Sequence, residues 1–280
     1  MPLPPFVIPR VNPREIPGLQ AWYDAADSAS VTLDAGRVSQ WSDKSGNARH
    51  ATNTTSGSTQ PSYTTAGRNG LNVLTFAAAS VQRLTVSGTS TFNFLHNGVA
   101  DAWWIAVSKY ATSANPNAIY SLFGNISAGF AGPGVLCAWD NRTGIATAGL
   151  NAAILAGSGG ANAANTLNAA NSAVLSSYNN LMAAQSFFVQ EAIHSPSNAT
   201  AADRFRFRVN GGSEIAANAK TGTASTSNAA SAMQFGGTGA SALPLQGDVC
   251  ELMFFNQLPT AEARDLIRRA LGAKWGVTVA

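Results

Sequence analysis

Charge is scarce in this chain of 280 residues: Asp, Glu, Lys and Arg together make up 11 %, against about a quarter in an ordinary globular protein. The net charge of +3 and the pI near 9.1 follow from few charges and not from a concentrated basic patch, so nucleic-acid binding gains no support. The densest basic group, Arg264, Arg268, Arg269 and Lys274, falls late in a helical pattern, where cations complement the helix dipole. Cysteine is equally rare. Cys137 and Cys250 sit far apart in apolar runs; two buried thiols are expected, a cross-sheet disulfide being the alternative. His50, His96 and His194 show no His-x-His or His-x-x-x-His spacing, which argues against zinc. Neither a Gly-x-Ser-x-Gly nor a phosphate-loop pattern occurs. No apolar run approaches the length of a membrane span, and no charged segment leads into an apolar one as a signal peptide would. A protein of this kind acting outside a cell is expected to leave by another route, such as lysis.

What the chain has in abundance is Ala, Ser, Thr, Asn and Gly. They make a polar, uncharged surface that suits an extracellular or assembled protein, because neighbouring copies repel little. Residues 1–17 carry Pro2, Pro4, Pro5, Pro9, Pro13 and Pro17; proline fixes φ and removes the amide donor, so an extended arm is expected. It is read either as a docking element for a neighbouring subunit or as a tail.

From Gly18 to the end, short apolar segments alternate with turn clusters at the spacing of a sandwich or barrel. Strands are expected at Leu19–Asp24, Val38–Trp41, Leu71–Phe76, Trp103–Lys109, Ile119–Phe123, Gly134–Trp139, Ser186–His194, Arg204–Val209, Ala232–Phe235 and Gly247–Phe255. Along Arg204–Val209 a period of two puts Phe205, Phe207 and Val209 on one face and three arginines on the other. Asn210-Gly211 then supplies the two positive-φ positions of a type I′ hairpin turn. Val249–Phe255 is apolar on both faces apart from Glu251, the mark of an inner strand.

Residues 151–182 read as a long inserted loop, helical near Ala169–Leu175, and Lys220–Ser231 as a shorter one. The one convincing helix is terminal, with Thr260 as N-cap and Leu266, Ile267, Ala270, Leu271 and Trp275 as its apolar stripe. The fold expected is therefore all-β, a two-sheet antiparallel sandwich with one C-terminal α-helix, divided into an arm (1–17) and a single domain (18–280).

Four stretches together resemble the concanavalin A-like or LamG-like jelly-roll superfamily: Pro17–Asp27, Val38–Ala51, Phe205–Gly211, and Phe235–Gly237 with Leu245–Leu252 and the terminal helix. The likeness spans residues 17–277. It implies a jelly roll of the lectin type, as found in adhesins, in accessory modules of polysaccharide-active enzymes, and in phage or prophage virion proteins. The uncharged surface, the arm and the lack of a signal peptide are most similar to the virion group.

Candidate sites are few. Glycoside hydrolases need two carboxylates reaching one cleft, and the only close pair in a strand is Asp248 and Glu251. Their odd spacing predicts opposite faces, so catalysis is not expected. Glu251 reads instead as a core carboxylate held by an arginine or backbone amides. Asp43 and Asn47 flank Gly46 in Asp43–Asn47; a tight turn over Trp41 is expected, and a calcium loop completed by Asp24 and Asp27 is the alternative. Trp103 and Trp104 are adjacent, so one of them should face outward, towards a sugar, a subunit or a covering loop. The Asn-x-Ser/Thr triplets at Asn53, Asn125, Asn141 and Asn198 are expected by chance in such a composition.

The reading is a non-enzymatic virion structural protein, a capsid decoration or fibre component, on the virion or an extracellular surface. Its partners would be other virion proteins and copies of itself, with neither nucleic acid nor a membrane span. The alternative is a carbohydrate-binding adhesin module for cell-surface glycans, with calcium as the one candidate cofactor.

Overall fold

A computed structural model describes residues 11–97, 100–111, 118–127, 132–140, 149–155, 184–216, 225–239 and 243–280. The Pro2–Pro9 part of the arm, most of the expected insertion with its helix near Ala169–Leu175, the Asn141 triplet and residues 220–224 of the shorter loop lie outside these.

Among the described residues sixteen strands form one continuous antiparallel sheet. They are β1 (Leu19–Asp24), β2 (Val31–Asp34), β3 (Arg37–Trp41), β4 (Ala51–Thr52), β5 (Ser62–Arg68), β6 (Leu71–Phe76), β7 (Leu84–Val86), β8 (Ala102–Tyr110), β9 (Ile119–Gly124), β10 (Gly134–Asp140), β11 (Gly149–Leu155), β12 (Phe188–His194), β13 (Phe205–Val209), β14 (Ile215–Ala216), β15 (Met233–Phe235) and β16 (Gly247–Phe255). The hydrogen-bonded order is β11-β10-β9-β15-β7-β4-β3-β5-β6-β16-β8-β12-β13-β14, with β1 added on β16 and β2 on β3.

The sheet curls so that its β9–β10–β15 part lies over β8, β12 and β16. Aromatic side chains alternate inward from both layers and meet there: Trp104 on Phe123 (centroids 5.0 Å apart), Phe235 stacked on Phe254 (6.1 Å) and Tyr110 against Trp139 (6.1 Å). Such pairs add to the burial of large apolar surface that holds a sandwich closed. β16 is the inner strand that its composition predicts: all nine residues are buried, and it pairs with β1, β6 and β8.

The helix α1 (Ala261–Trp275) packs on the outer face of β1, β16, β8 and β12 and is the one α-helix among the described residues. The Thr260 hydroxyl accepts from the Ala263 N–H (3.2 Å), and Gly276 at φ +60° ends the helix, with the Val277 N–H bonded to the Gly272 carbonyl. The buried face is shifted from the expected stripe. Ile267, Leu271 and Trp275 are buried as expected, but Arg268 is buried too, while Leu266 and Ala270 are partly exposed.

One further expectation is corrected. Residue 151 does not begin a loop: Gly149–Leu155 is β11, paired along its length with β10. The described end of the arm lies on its own chain, where Val11 and Ile16 pack against the core and the Arg14 Nε donates to the Lys44 carbonyl (2.5 Å).

Candidate functional site

The residues singled out in the sequence fall into structural roles. Trp103 and Trp104 point to opposite sides of β8, and neither faces solvent: Trp103 is 0 % exposed and Trp104 3 %. Trp104 enters the inter-sheet core between Phe123 and Phe207, and Trp103 packs on Phe255 beneath α1. Both sides of β8 are covered, one by the curled sheet and the other by the helix, so alternation puts neither ring outside.

Asp43 organises the turn that follows β3. One carboxylate oxygen accepts from the N–H groups of Trp22 (2.9 Å) and Ser45 (2.8 Å), the other from the Ser45 hydroxyl (2.8 Å) and the Arg49 N–H (3.1 Å). The Asn47 amide donates to the Leu19 and Gln20 carbonyls, and Gly46 adopts φ +99°. Trp41 is fully buried against Tyr23 (5.4 Å) and Phe235 (6.2 Å). Of the three calcium candidates, Asp24 and Asp27 are engaged by the Lys44 ammonium, at 3.1 Å and 2.7 Å, and Asp43 by the turn. No group of three His, Cys, Asp or Glu able to hold a metal occurs among the described residues. Asn210 and Gly211 take φ +48° and +70°, and the Asn210 side chain accepts from the Val189 N–H (2.9 Å). Cys137 and Cys250 are both free and buried, and burial pushes both thiols well above the ordinary range.

Under α1 lies a polar layer that the sequence only hinted at. The Glu251 carboxylate accepts from the indole N–H groups of Trp22 and Trp275 (each 2.8 Å) and from the Lys274 ammonium (2.7 Å), which also reaches Asp24 (2.7 Å). Across β8, Glu191 repeats the arrangement with the Trp103 indole (2.8 Å) and the Arg268 guanidinium (2.8 and 2.7 Å). Burial, then the charge of Asp24, push the Glu251 carboxyl up, against the pull of Lys274 and Trp275. Burial alone would lower Lys274, but Glu251 and Asp24 outweigh it and hold its ammonium above the usual value. Glu251 is thus a satisfied core carboxylate, held by a lysine and two indoles where an arginine or backbone amides were expected.

Asp248 and Glu251 do not point to opposite faces. The β16–β8 ladder pairs Asp248 with Lys109 and Glu251 with Val107, and Cys250 is the extra residue of a bulge between them. Since Lys109 and Val107 are two apart on one strand, both acids share the helix side. Asp248 is engaged by Lys109 (2.6 Å) and Thr75 (2.7 Å), separately from the Glu251 network.

At the C-terminal end of α1, on this same side, a cleft of about 470 Å³ opens between the β5–β6 turn, the end of β8, residues 185–187 and the β13 turn. Arg68, Lys109, Phe187, Asn210, Ser186 and Thr278 line it. The Arg68 Nε donates to the Trp275 carbonyl (2.7 Å) and its Nη2 to that of Gly276, while Asn69 caps the Lys274 carbonyl (2.8 Å). The Phe187 ring centroid is 5.2 Å from the Arg68 guanidinium and 4.9 Å from the Lys109 ammonium. These residues come from five separate segments, so no linear motif announces them.

No protein-family model and no curated protein matches this chain. Solved structures match its fold. A GH54 α-L-arabinofuranosidase soaked with 4-nitrophenyl α-L-arabinofuranoside superposes with a TM-score of 0.53 at 15 % identity, over 94 % of this chain and 60 % of that one. An arabinofuranosidase complexed with arabinofuranosyl-α-1,2-xylobiose gives 0.52 at 15 % identity, over 92 % and 60 %. Domain 4 of AbnA, a GH43 extracellular arabinanase from Geobacillus stearothermophilus in complex with arabinotriose, gives 0.50 at 13 % identity, over 90 % of this chain and 99 % of that domain. The chain thus spans about 60 % of the arabinofuranosidase chains. At these identities the likeness is one of fold, an antiparallel β-sandwich, and not of role.

Proposed function

We propose that this chain is a non-catalytic saccharide-binding module whose binding surface is the cleft at the C-terminal end of α1. The carrying observation is the cleft itself: a concave opening lined by guanidinium, ammonium, amide and hydroxyl groups, the donors and acceptors that sugar hydroxyls require. The fold neighbours support this, because a domain of nearly the same extent was solved with arabinotriose bound. The commitment of Glu191, Glu251 and Asp248 to partners within the fold supports binding over hydrolysis. Nothing in the fold or in the comparisons favours a virion role over this one.

Calorimetric titration with arabino-, xylo- and pectic oligosaccharides tests the proposal. Binding of at least one class is expected, with loss on filling the cleft by Ser186→Trp and no release of reducing ends on long incubation. Absence of binding to every class would remove the reading, and release of reducing ends would replace it with an enzyme.

A further inference from the structure

Among the described residues no Phe, Tyr or Trp side chain is exposed; Trp22, Tyr63, Phe94 and Phe187 are partly covered and the others are buried. Among the described residues, then, no fully exposed ring offers a flat platform for a neutral sugar. At the cleft, Phe187 instead packs with two cations, Arg68 and Lys109, which both lie within 5.2 Å of its ring centre. Among the described residues no acidic side chain lines the cleft. Lys109 is paired with Asp248 at 2.6 Å, while no carboxylate pairs with Arg68 among the described residues. Two positive charges therefore face the opening against one negative charge beside it.

Arg68 is also fixed in place. Its bonds to the Trp275 and Gly276 carbonyls hold the guanidinium at the helix end, so a ligand need not immobilise a free side chain. A planar guanidinium beside a point-charge ammonium is an arrangement that suits a carboxylate. We infer that the ligand of this cleft is an acidic saccharide, with a uronate carboxylate seated between Arg68 and Lys109 and the neighbouring sugar hydroxyls met by Asn210, Ser186 and Thr278. The inference rests on the saccharide-binding reading of the same cleft.

The experiment is calorimetric titration of the whole chain with trigalacturonate and with neutral galactotriose at physiological salt, with polyglutamate as an unrelated polyanion. Trigalacturonate should bind at least about tenfold more tightly than galactotriose, and Arg68→Gln and Lys109→Gln should each weaken it about tenfold. Arg269→Gln, on the exposed side of α1, should leave it unchanged. Thermal melting of each variant reports folding; should Arg68→Gln unfold through loss of the helix cap, Lys109→Gln decides alone. Equal binding of the neutral trisaccharide overturns the acidic preference and leaves the saccharide reading standing. Failure of both sugars overturns the two together. Equal binding of polyglutamate, or trigalacturonate binding that survives the variants, overturns the assignment to this cleft.

Discussion

Asp24 and Glu251 face each other across the β1–β16 ladder and share the ammonium of Lys274, which stands 2.7 Å from a carboxylate oxygen of each. One cation from the last turn of α1 thus neutralises charge on two strands far apart in sequence, and two indole N–H groups complete the shell of Glu251. Buried acids of this kind add little stability as a set, but removing one partner leaves a desolvated charge behind.

The first prediction follows from that asymmetry. Lys274→Met should destabilise the chain by about 3 kcal/mol, read as a lower urea midpoint. The double variant Lys274→Met/Glu251→Gln should recover part of the loss, because the uncompensated charge is gone. Strict additivity of the two changes would show that the pair is not coupled.

A second concerns pH. The folded chain holds the Lys274 proton more tightly than an unfolded one with its ordinary value of 10.5. The contribution is therefore full below 10.5 and is lost as pH rises through the higher folded value. The stability gap between the native chain and Lys274→Met should be constant from neutral pH to about 9 and narrow above about 11. A gap that widens on the alkaline side would reverse the assigned direction.

A third separates packing from recognition at the tryptophan pair. Trp104→Ala opens a hole between Phe123 and Phe207 and should cost about 3–5 kcal/mol. Whatever folded fraction remains at low temperature should bind saccharide as the native chain does. A loss of affinity without loss of stability would return Trp104 to a ligand role.

The thiols give a fourth. Cys137 and Cys250 are fully buried with raised thiol values, so neither should react with a maleimide in the native state, and both should react promptly in denaturant. A fast native reaction at either position would mean that the sandwich opens locally there.

The parts of the fold that were legible in the sequence are those where a period has room to show. β13 declares itself through Phe205, Phe207 and Val209, β16 through the apolar run Val249–Phe255 broken by Glu251, and α1 through its cap and apolar stripe. β4, β7 and β14 have two or three residues each, too few to carry a period, and β5 is largely exposed with little apolar pattern. β11 carries Leu150, Ile154 and Leu155 at uneven spacing among Gly, Asn and Ala, so no period of two marks it. The Asp248–Glu251 spacing misleads because a bulge at Cys250 cannot be counted from sequence.

The site was harder still to read. A buried Glu demands a donor, and that much is visible at Glu251; Glu191 carries the same demand, but Gln190 before it and His194 after it make its strand look less buried than it is. Lys274 and Arg268 look like solvent-facing helix ends until the helix is set on the sheet. The cleft is assembled by topology alone, from turns that meet only once the sheet has curled.

β16 has a consequence for how the chain comes into being. It is the one described strand that β1 pairs with, and it also completes β6 and β8. Trp22 and Glu251 are 229 residues apart, so on a ribosome the first strand waits roughly ten to fifty seconds for its partner. During that interval the edges of β1 and β6 are open to other nascent chains, and a product cut short before Gly247 never closes them. An incomplete chain therefore exposes open sheet edges that the finished fold covers with β16.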